Sequence, residues 1–188
     1  MKQVLMSIRP QYLVNILNGD KTLELRKQIP KGFVGWINLY CTFTNPSLYF
    51  SRETNTYYIK NVNNWVGLDC LEGTIPCRFW FDEYFTYTKE NGNDNDLYDI
   101  HELDYRDLCL SNQEIEDYGK GKDLYAIHIK NLEIFDRPKE LGEFYKNLHY
   151  PNNQIISPFI CDADDKECLD TFKITKAPQN FMYCWVEE

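Results

Sequence analysis

Residues 7–27 read SIRPQYLVNILNGDKTLELRK, and their patterning changes twice within that stretch. The residues leading into it, KQVLMSIR (2–9), run as a strand that stops at Arg9-Pro10. Pro10 suits the first turn of a helix, and Leu13, Ile16 and Leu17 recur at helical spacing. A short helix is therefore expected over 10–18, with Gly19 at the position just past its end. From Lys21 the period drops to two. In KTLELR, Leu23 and Leu25 alternate with Thr22, Glu24 and Arg26, so a half-buried strand is expected with both leucines turned to a core.

Working outward, FVGWINLYCTF (33–43) is apolar on both faces and reads as an interior strand. Residues 44–72 carry NP, RETNT and NVNN clusters around Tyr57, Tyr58 and Ile59, and read as an inserted loop or hairpin. In GTIPCRFWFDEYF (73–85), Ile75, Cys77, Phe79 and Phe81 alternate, and Pro76 places the strand near an edge or at its own start. KENGNDND (89–96) is a polar turn, and 100–108 a helical turn. Ser111 with Glu114 forms a capping box, which opens a helix over 112–118. DLYAIHIK (123–130) is a strand, and PKELGEFYKNL (138–148) an amphipathic helix starting at Pro138. A second excursion fills 151–178 before a closing strand over 180–187. The order predicts one α+β domain over 1–188: a small closed or partly closed barrel of about six strands with short flanking helices, and insertions near 44–72 and 149–175.

The chain has 188 residues and a net charge of −9, which argues against sequence-independent binding to duplex DNA. A local basic pocket is compatible with that balance, so any nucleic-acid function must rest on a few named residues. No apolar run precedes Arg9 and none reaches the roughly 18 residues of a membrane span, so a cytoplasmic protein without membrane association is expected. The cysteines number seven, with no C-x-x-C, and are expected as free thiols in a reducing compartment. Three separated histidines and an acidic stretch at 162–170 without the calcium-loop pattern give no metal site, and that stretch reads as a solvated loop. No P-loop, G-x-G-x-x-G or G-x-S-x-G is present, and no cofactor is expected.

The chemistry concentrates at Lys21, Glu24 and Arg26. Arginine offers a planar fork to phosphate or a base edge, lysine a point charge or an amine of shifted pKa, and glutamate an acceptor or a general base. The plainer reading is a surface ion-pair ladder worth under about 1 kcal/mol. His128 could line the same cleft or be a hydrogen-bonded structural histidine. His101 and His149 carry no pattern. Trp36, Trp80 and Trp185 read as core; Trp65, in the insertion, reads as a stacking lid or as a hydrophobic pin.

The segment S-I-x-P, short helix, then G-x-K-x-x-E-x-R (Gly19, Lys21, Glu24, Arg26) resembles the signature of the ASCH family of the PUA-like superfamily. INLYCT (37–42), GTIPCRFWFDEY (73–84), DLYAIHIKNLEIFDRPKELGEFY (123–145) and KAPQNFMYCWVEE (176–188) follow in the family's order. The resemblance implies a small β-barrel whose cleft, between helix and barrel, binds RNA or a nucleotide through Gly19, Lys21, Thr22, Glu24, Arg26 and His128. It also implies a second possibility, a ribonuclease or amidohydrolase with Lys21 and Glu24 as catalytic residues. Amidohydrolase relatives carry G-x-K-x-x-T with a threonine nucleophile where this chain has Glu24. A third reading, from a different class, is a protein-interaction module.

Overall fold

The long apolar runs are rich in β-branched and aromatic residues, and in the computed structural model most of them are strands. The structure describes residues 1–61, 67–88, 98, 102–149, 154–162 and 164–186. Strand β1 (Lys2–Ile8) is buried from Gln3 onward. Helix α1 (Pro10–Leu17) follows, with Pro10 in its first turn and Leu13, Val14, Ile16 and Leu17 facing inward. Gly19 then takes φ +81°, a left-handed conformation that strains any residue with a Cβ. Next come β2 (Leu23–Arg26), β3 (Gly35–Cys41), β4 (Ser47–Ser51), β5 (Thr56–Lys60), β6 (Leu68–Cys70), β7 (Thr74–Phe81) and β8 (Tyr84–Tyr87). Helices α2 (Glu102–Leu108) and α3 (Asn112–Gly119) precede β9 (Leu124–His128) and the long β10 (Lys130–Glu140). The remainder holds β11 (Phe144–Tyr145), β12 (Leu148–His149), β13 (Ile155–Ile156), helix α4 (Lys166–Phe172) and β14 (Phe181–Val186).

A curled six-stranded sheet runs in the order β10-β7-β3-β1-β14-β11. Its inner face packs Val4, Met6, Ile37, Leu39 and Phe79 against Leu13 and Ile16 of α1. A second sheet, β2-β9-β8, lays Leu23, Leu25 and Ala126 on Leu108 and Ile115 of the two following helices. Leu5 and Tyr40, on the outer face of the main sheet, are covered by Phe144 and Ile174. The expected α+β architecture, a PUA-like small barrel with short flanking helices, is therefore present.

Several local expectations are corrected. The helix expected over 138–148 is instead the end of β10, a 3-10 turn at Leu141–Glu143, and the short β11 and β12. Pro138 fits there because β10 is an edge strand, paired among the described residues with β7 alone, where a missing N–H costs no ladder bond. Strand 73–85 is two strands in different sheets, β7 and β8. The 44–72 insertion contains a three-stranded sheet, β5-β4-β6. Within the acidic 162–170 stretch, α4 begins at Lys166 and is capped by Asp165, whose carboxylate accepts from the Cys168 N–H. Cys161 and Cys168 form a disulfide, because the turn at Pro158–Ile160 and α4 bring their Cα atoms to 5.8 Å. Trp36, Trp80 and Trp185 are half-buried at the surface rather than enclosed in a core. Trp65 and His101 lie outside the described residues, as does the side chain of His149. No helix among the described residues is long and apolar enough to cross a membrane.

The capping box foreseen at Ser111 is formed in full: Ser111 accepts from the Glu114 N–H, and the Glu114 carboxylate accepts from the Ser111 N–H. Ser111→Ala is expected to lower stability by about 1 kcal/mol. The check is a urea midpoint that falls while the slope of the transition stays unchanged.

Candidate functional site

Alternation along β2 sends its side chains two ways. Leu23 and Leu25 enter the second core, while Glu24 and Arg26 point to the other face and are themselves buried, 5% and 8% exposed. Lys21, just before the strand, is 2% exposed. Glu24 stands between the two cations. Its Oε1 lies 2.9 Å from Arg26 Nη2 and its Oε2 lies 3.6 Å from Lys21 Nζ. A surface ion-pair ladder is thereby overturned, since all three side chains are out of water.

Each cation also reaches a backbone carbonyl. Arg26 Nη2 donates to the Ser7 carbonyl at 2.8 Å, near the end of β1. Lys21 Nζ donates to the carbonyl of Leu108, the last residue of α2. A terminal helix carbonyl has no partner within the helix, and a cation there also complements the helix dipole. The Thr22 N–H donates to the Asp107 carbonyl alongside, docking the end of α2 onto this segment.

Two cations share one carboxylate, so the buried triad carries one uncompensated positive charge when all three groups are ionised. Burying charge costs several kcal/mol unless it is paired and hydrogen-bonded. Lys21 registers that cost directly. Burial pulls its pKa below the ordinary 10.5, and Glu24 opposes the shift by favouring the ammonium.

The triad lines a cleft of about 650 Å³. Arg9, Lys27 and Lys122 add cations to its wall, whereas Glu114 is the one further carboxylate among the lining residues. Cations thus outnumber carboxylates five to two in a chain whose net charge is −9. The Glu114 carboxylate is engaged by the Ser111 N–H and hydroxyl at 2.9 and 2.8 Å, which hold its pKa below the usual carboxylate range. Tyr12 and Tyr118 supply aromatic rings, and Lys27 Nζ lies 4.8 Å from the centroid of the Tyr118 ring. Thr44, Gln179 and Asn180 add neutral polar groups. Two polar atoms here, Arg26 Nε and Thr44 Oγ1, are buried without a hydrogen-bond partner among the described residues.

Of the residues singled out in the sequence, Lys21, Glu24 and Arg26 are brought together in the cleft. Gly19, Thr22 and His128 are not in its lining. Gly19 shapes the turn after α1. Thr22 presents its backbone to Asp107 and to Ile129. His128 pairs across from Leu23, which puts it on the sheet face opposite Glu24, with Nδ1 3.8 Å from Glu83. Arg9, Tyr12, Tyr118 and Lys122 were not foreseen. The first two follow Ser7 closely enough that the turn from β1 into α1 could have flagged them. Tyr118 lies one helical turn beyond Glu114 on α3, a spacing that puts both on one helix face. Among the described residues, no group of three potential ligands could hold a metal ion.

No protein-family model and no curated protein matches the chain. Solved structures do resemble it. The crystal structure of ASCH from Zymomonas mobilis has a TM-score of 0.50 at 16% identity, covering 99% of this chain and 88% of that one. A serine-to-alanine variant of that protein gives 0.49 at 16% identity, with 99% and 89% covered. A tyrosine-to-phenylalanine variant gives 0.45 at 18% identity, with 75% and 77% covered. The first of these likenesses shows a shared fold.

Two outcomes follow from the buried triad. Glu24→Gln leaves two buried cations without their counter-ion and is expected to cost about 3–5 kcal/mol of stability, measured by urea unfolding. The Lys21 pKa is depressed in the fold, so between that value and 10.5 the unfolded chain binds more protons than the folded one. Stability contributed at this site therefore rises with pH across that window. Wild type compared with Lys21→Met by urea unfolding at pH 7 and pH 10 should shift in favour of wild type at the higher pH. A difference that does not change would mean that the ammonium is solvated.

Proposed function

We infer, from an ASCH fold that encloses a cationic cleft, that this chain is a nucleotide- or RNA-binding module. The observation that carries the reading is the buried triad: a lysine, an arginine and a single carboxylate, with one positive charge left over inside an acidic protein. An anionic oxygen from a ligand would offset that excess. Arg26 Nε is the donor best suited to it, as a guanidinium N–H without a partner among the described residues. Tyr12 and Tyr118 offer faces on which a base can stack, and Gln179 and Asn180 offer amides for its polar edge.

The volume of the cleft suits a ligand the size of one nucleotide, within the range of ordinary small-molecule sites. The acidic exterior disfavours wrapping by a long polyanion. Binding is favoured over turnover because both oxygens of Glu24 are already paired with cations inside the fold. Hydrolysis draws support only from Lys21, whose depressed pKa makes its amine available nearer neutrality.

Variants in the buried triad risk unfolding, so the exposed cations of the wall give the cleaner test. Nucleoside monophosphates are expected to raise the thermal midpoint of the wild type; at a hundred times its Kd a ligand adds about 2.7 kcal/mol. Arg9→Ala and Lys122→Ala should each weaken that binding by about tenfold without changing the midpoint of the free protein. Unaltered affinity in both variants would remove the cleft as the site.

A further inference from the structure

Gln179 and Asn180 line the cleft, and β14 begins at the next residue. Along β14, Phe181, Tyr183 and Trp185 share one face by strand alternation, and all three are half-buried. The Phe181 and Tyr183 rings lie 6.5 Å apart. On the neighbouring strand Lys2 pairs across from Trp185 and Val4 across from Tyr183. The Lys2 ammonium sits 3.8 Å from the centroid of the Tyr183 ring.

This end of the ladder opens into a second concavity of about 610 Å³, lined by Lys2, Lys146, Asn147, Tyr183 and Trp185 with two aliphatic neighbours. Among the described residues its wall holds two lysines and no carboxylate, in a chain that is strongly acidic as a whole. Asn147 Oδ1 is a buried acceptor with no hydrogen-bond partner among the described residues. The lysines call for an anion, the rings for a planar group, and the amide oxygen for an N–H donor. A nucleobase with its phosphate supplies all three. An acidic peptide would use the lysines and leave the rings idle.

The groove and the cleft lie at opposite ends of β1. Lys2 to Ser7 is five strand steps, about 17 Å at roughly 3.3 Å per residue. One nucleotide cannot touch both sites, whereas a short single strand can run between them past the Phe181–Tyr183 rings. We propose that the groove at Lys2, Lys146, Tyr183 and Trp185 is a second subsite for single-stranded RNA, holding a base and phosphate a few nucleotides from the one in the cleft. The proposal rests on the reading of the cleft as a nucleotide site. It makes the substrate class an oligonucleotide rather than a free nucleotide.

The test compares uridine monophosphate, by calorimetry, with fluorescein-labelled hexauridylate, by anisotropy. The proteins are wild type, Lys2→Ala/Lys146→Ala, and the cleft variant Arg9→Ala. Wild type should bind the hexamer at least tenfold more tightly than the monophosphate. The double variant should lose that gain, keep its monophosphate affinity, and show a log–log salt dependence shallower by about 1.4, for two lost phosphate contacts at about 0.7 each. Equal affinity for hexamer and monophosphate, or no loss in the double variant, overturns the proposal and leaves the cleft reading intact. Hexamer binding that needs Lys2 and Lys146 but is indifferent to Arg9→Ala, with no monophosphate binding at all, upholds the groove and sinks the cleft reading. Hexaglutamate that displaces the hexamer from wild type with comparable affinity would assign the groove to acidic peptides and overturn the proposal.

Discussion

Glu24 accepts from Arg26 on one side and faces Lys21 on the other, and each cation continues to a backbone carbonyl, Ser7 in β1 and Leu108 at the end of α2. This short polar chain crosses the boundary between the two sheets. On one side lies the curled main sheet with α1, and on the other the small sheet with α2 and α3. Strand β2 can serve both because its period of two sends leucines into the apolar core and charges into the cleft. The charges are costly to bury, and replacing such a group by apolar residues is often neutral or stabilising in other folds. Their buried position beside a cleft is better explained by what they hold in place: the end of α2, the end of β1 and an excess positive charge.

The parts of this arrangement that a sequence window can hold were legible. Residues 2–26 fold as their changing periodicity predicts, and Ser111 with Glu114 marks the start of α3. That Glu24 and Arg26 share a face follows from strand alternation, and Lys21 joins them from just before the strand, where that alternation does not apply. Their burial does not follow from it, because the covering carbonyl of Leu108 is 87 residues from Lys21. The wall of the cleft draws on α1, α3, the segment after β3 and the approach to β14, so no single stretch of sequence announces it. The misread helix at 138–148 has a definite cause. Leu141, Phe144, Tyr145 and Leu148 recur at helical spacing, yet Phe144 is buried against the outer face of the main sheet by a strand-and-turn path. Spacing alone cannot separate those two ways of burying the same side chains. Likewise, the Cys161–Cys168 bridge depends on a turn and a helix that an acidic composition hid.

The charge balance of the molecule shapes how any anionic ligand is held. An exterior at −9 repels a polyanion at long range, and salt screens that repulsion over a Debye length of about 8–10 Å. Contacts between cations and phosphates at close range weaken with salt for the opposite reason, through the return of counter-ions. The two effects oppose one another, so a shallow overall salt dependence does not by itself argue against phosphate recognition in this protein. The difference between wild type and a variant lacking one named cation isolates the local term, because the long-range repulsion is nearly common to both. The buried triad adds a further asymmetry. Its cations are fixed by carbonyls and carboxylate before a ligand arrives, so little ordering is required of them on binding, whereas the exposed Lys2 and the half-buried Lys146 must give up side-chain freedom. The cleft is therefore the preorganised partner of the pair, and a strand that reaches from it to the far groove gains affinity chiefly by making the second contact intramolecular.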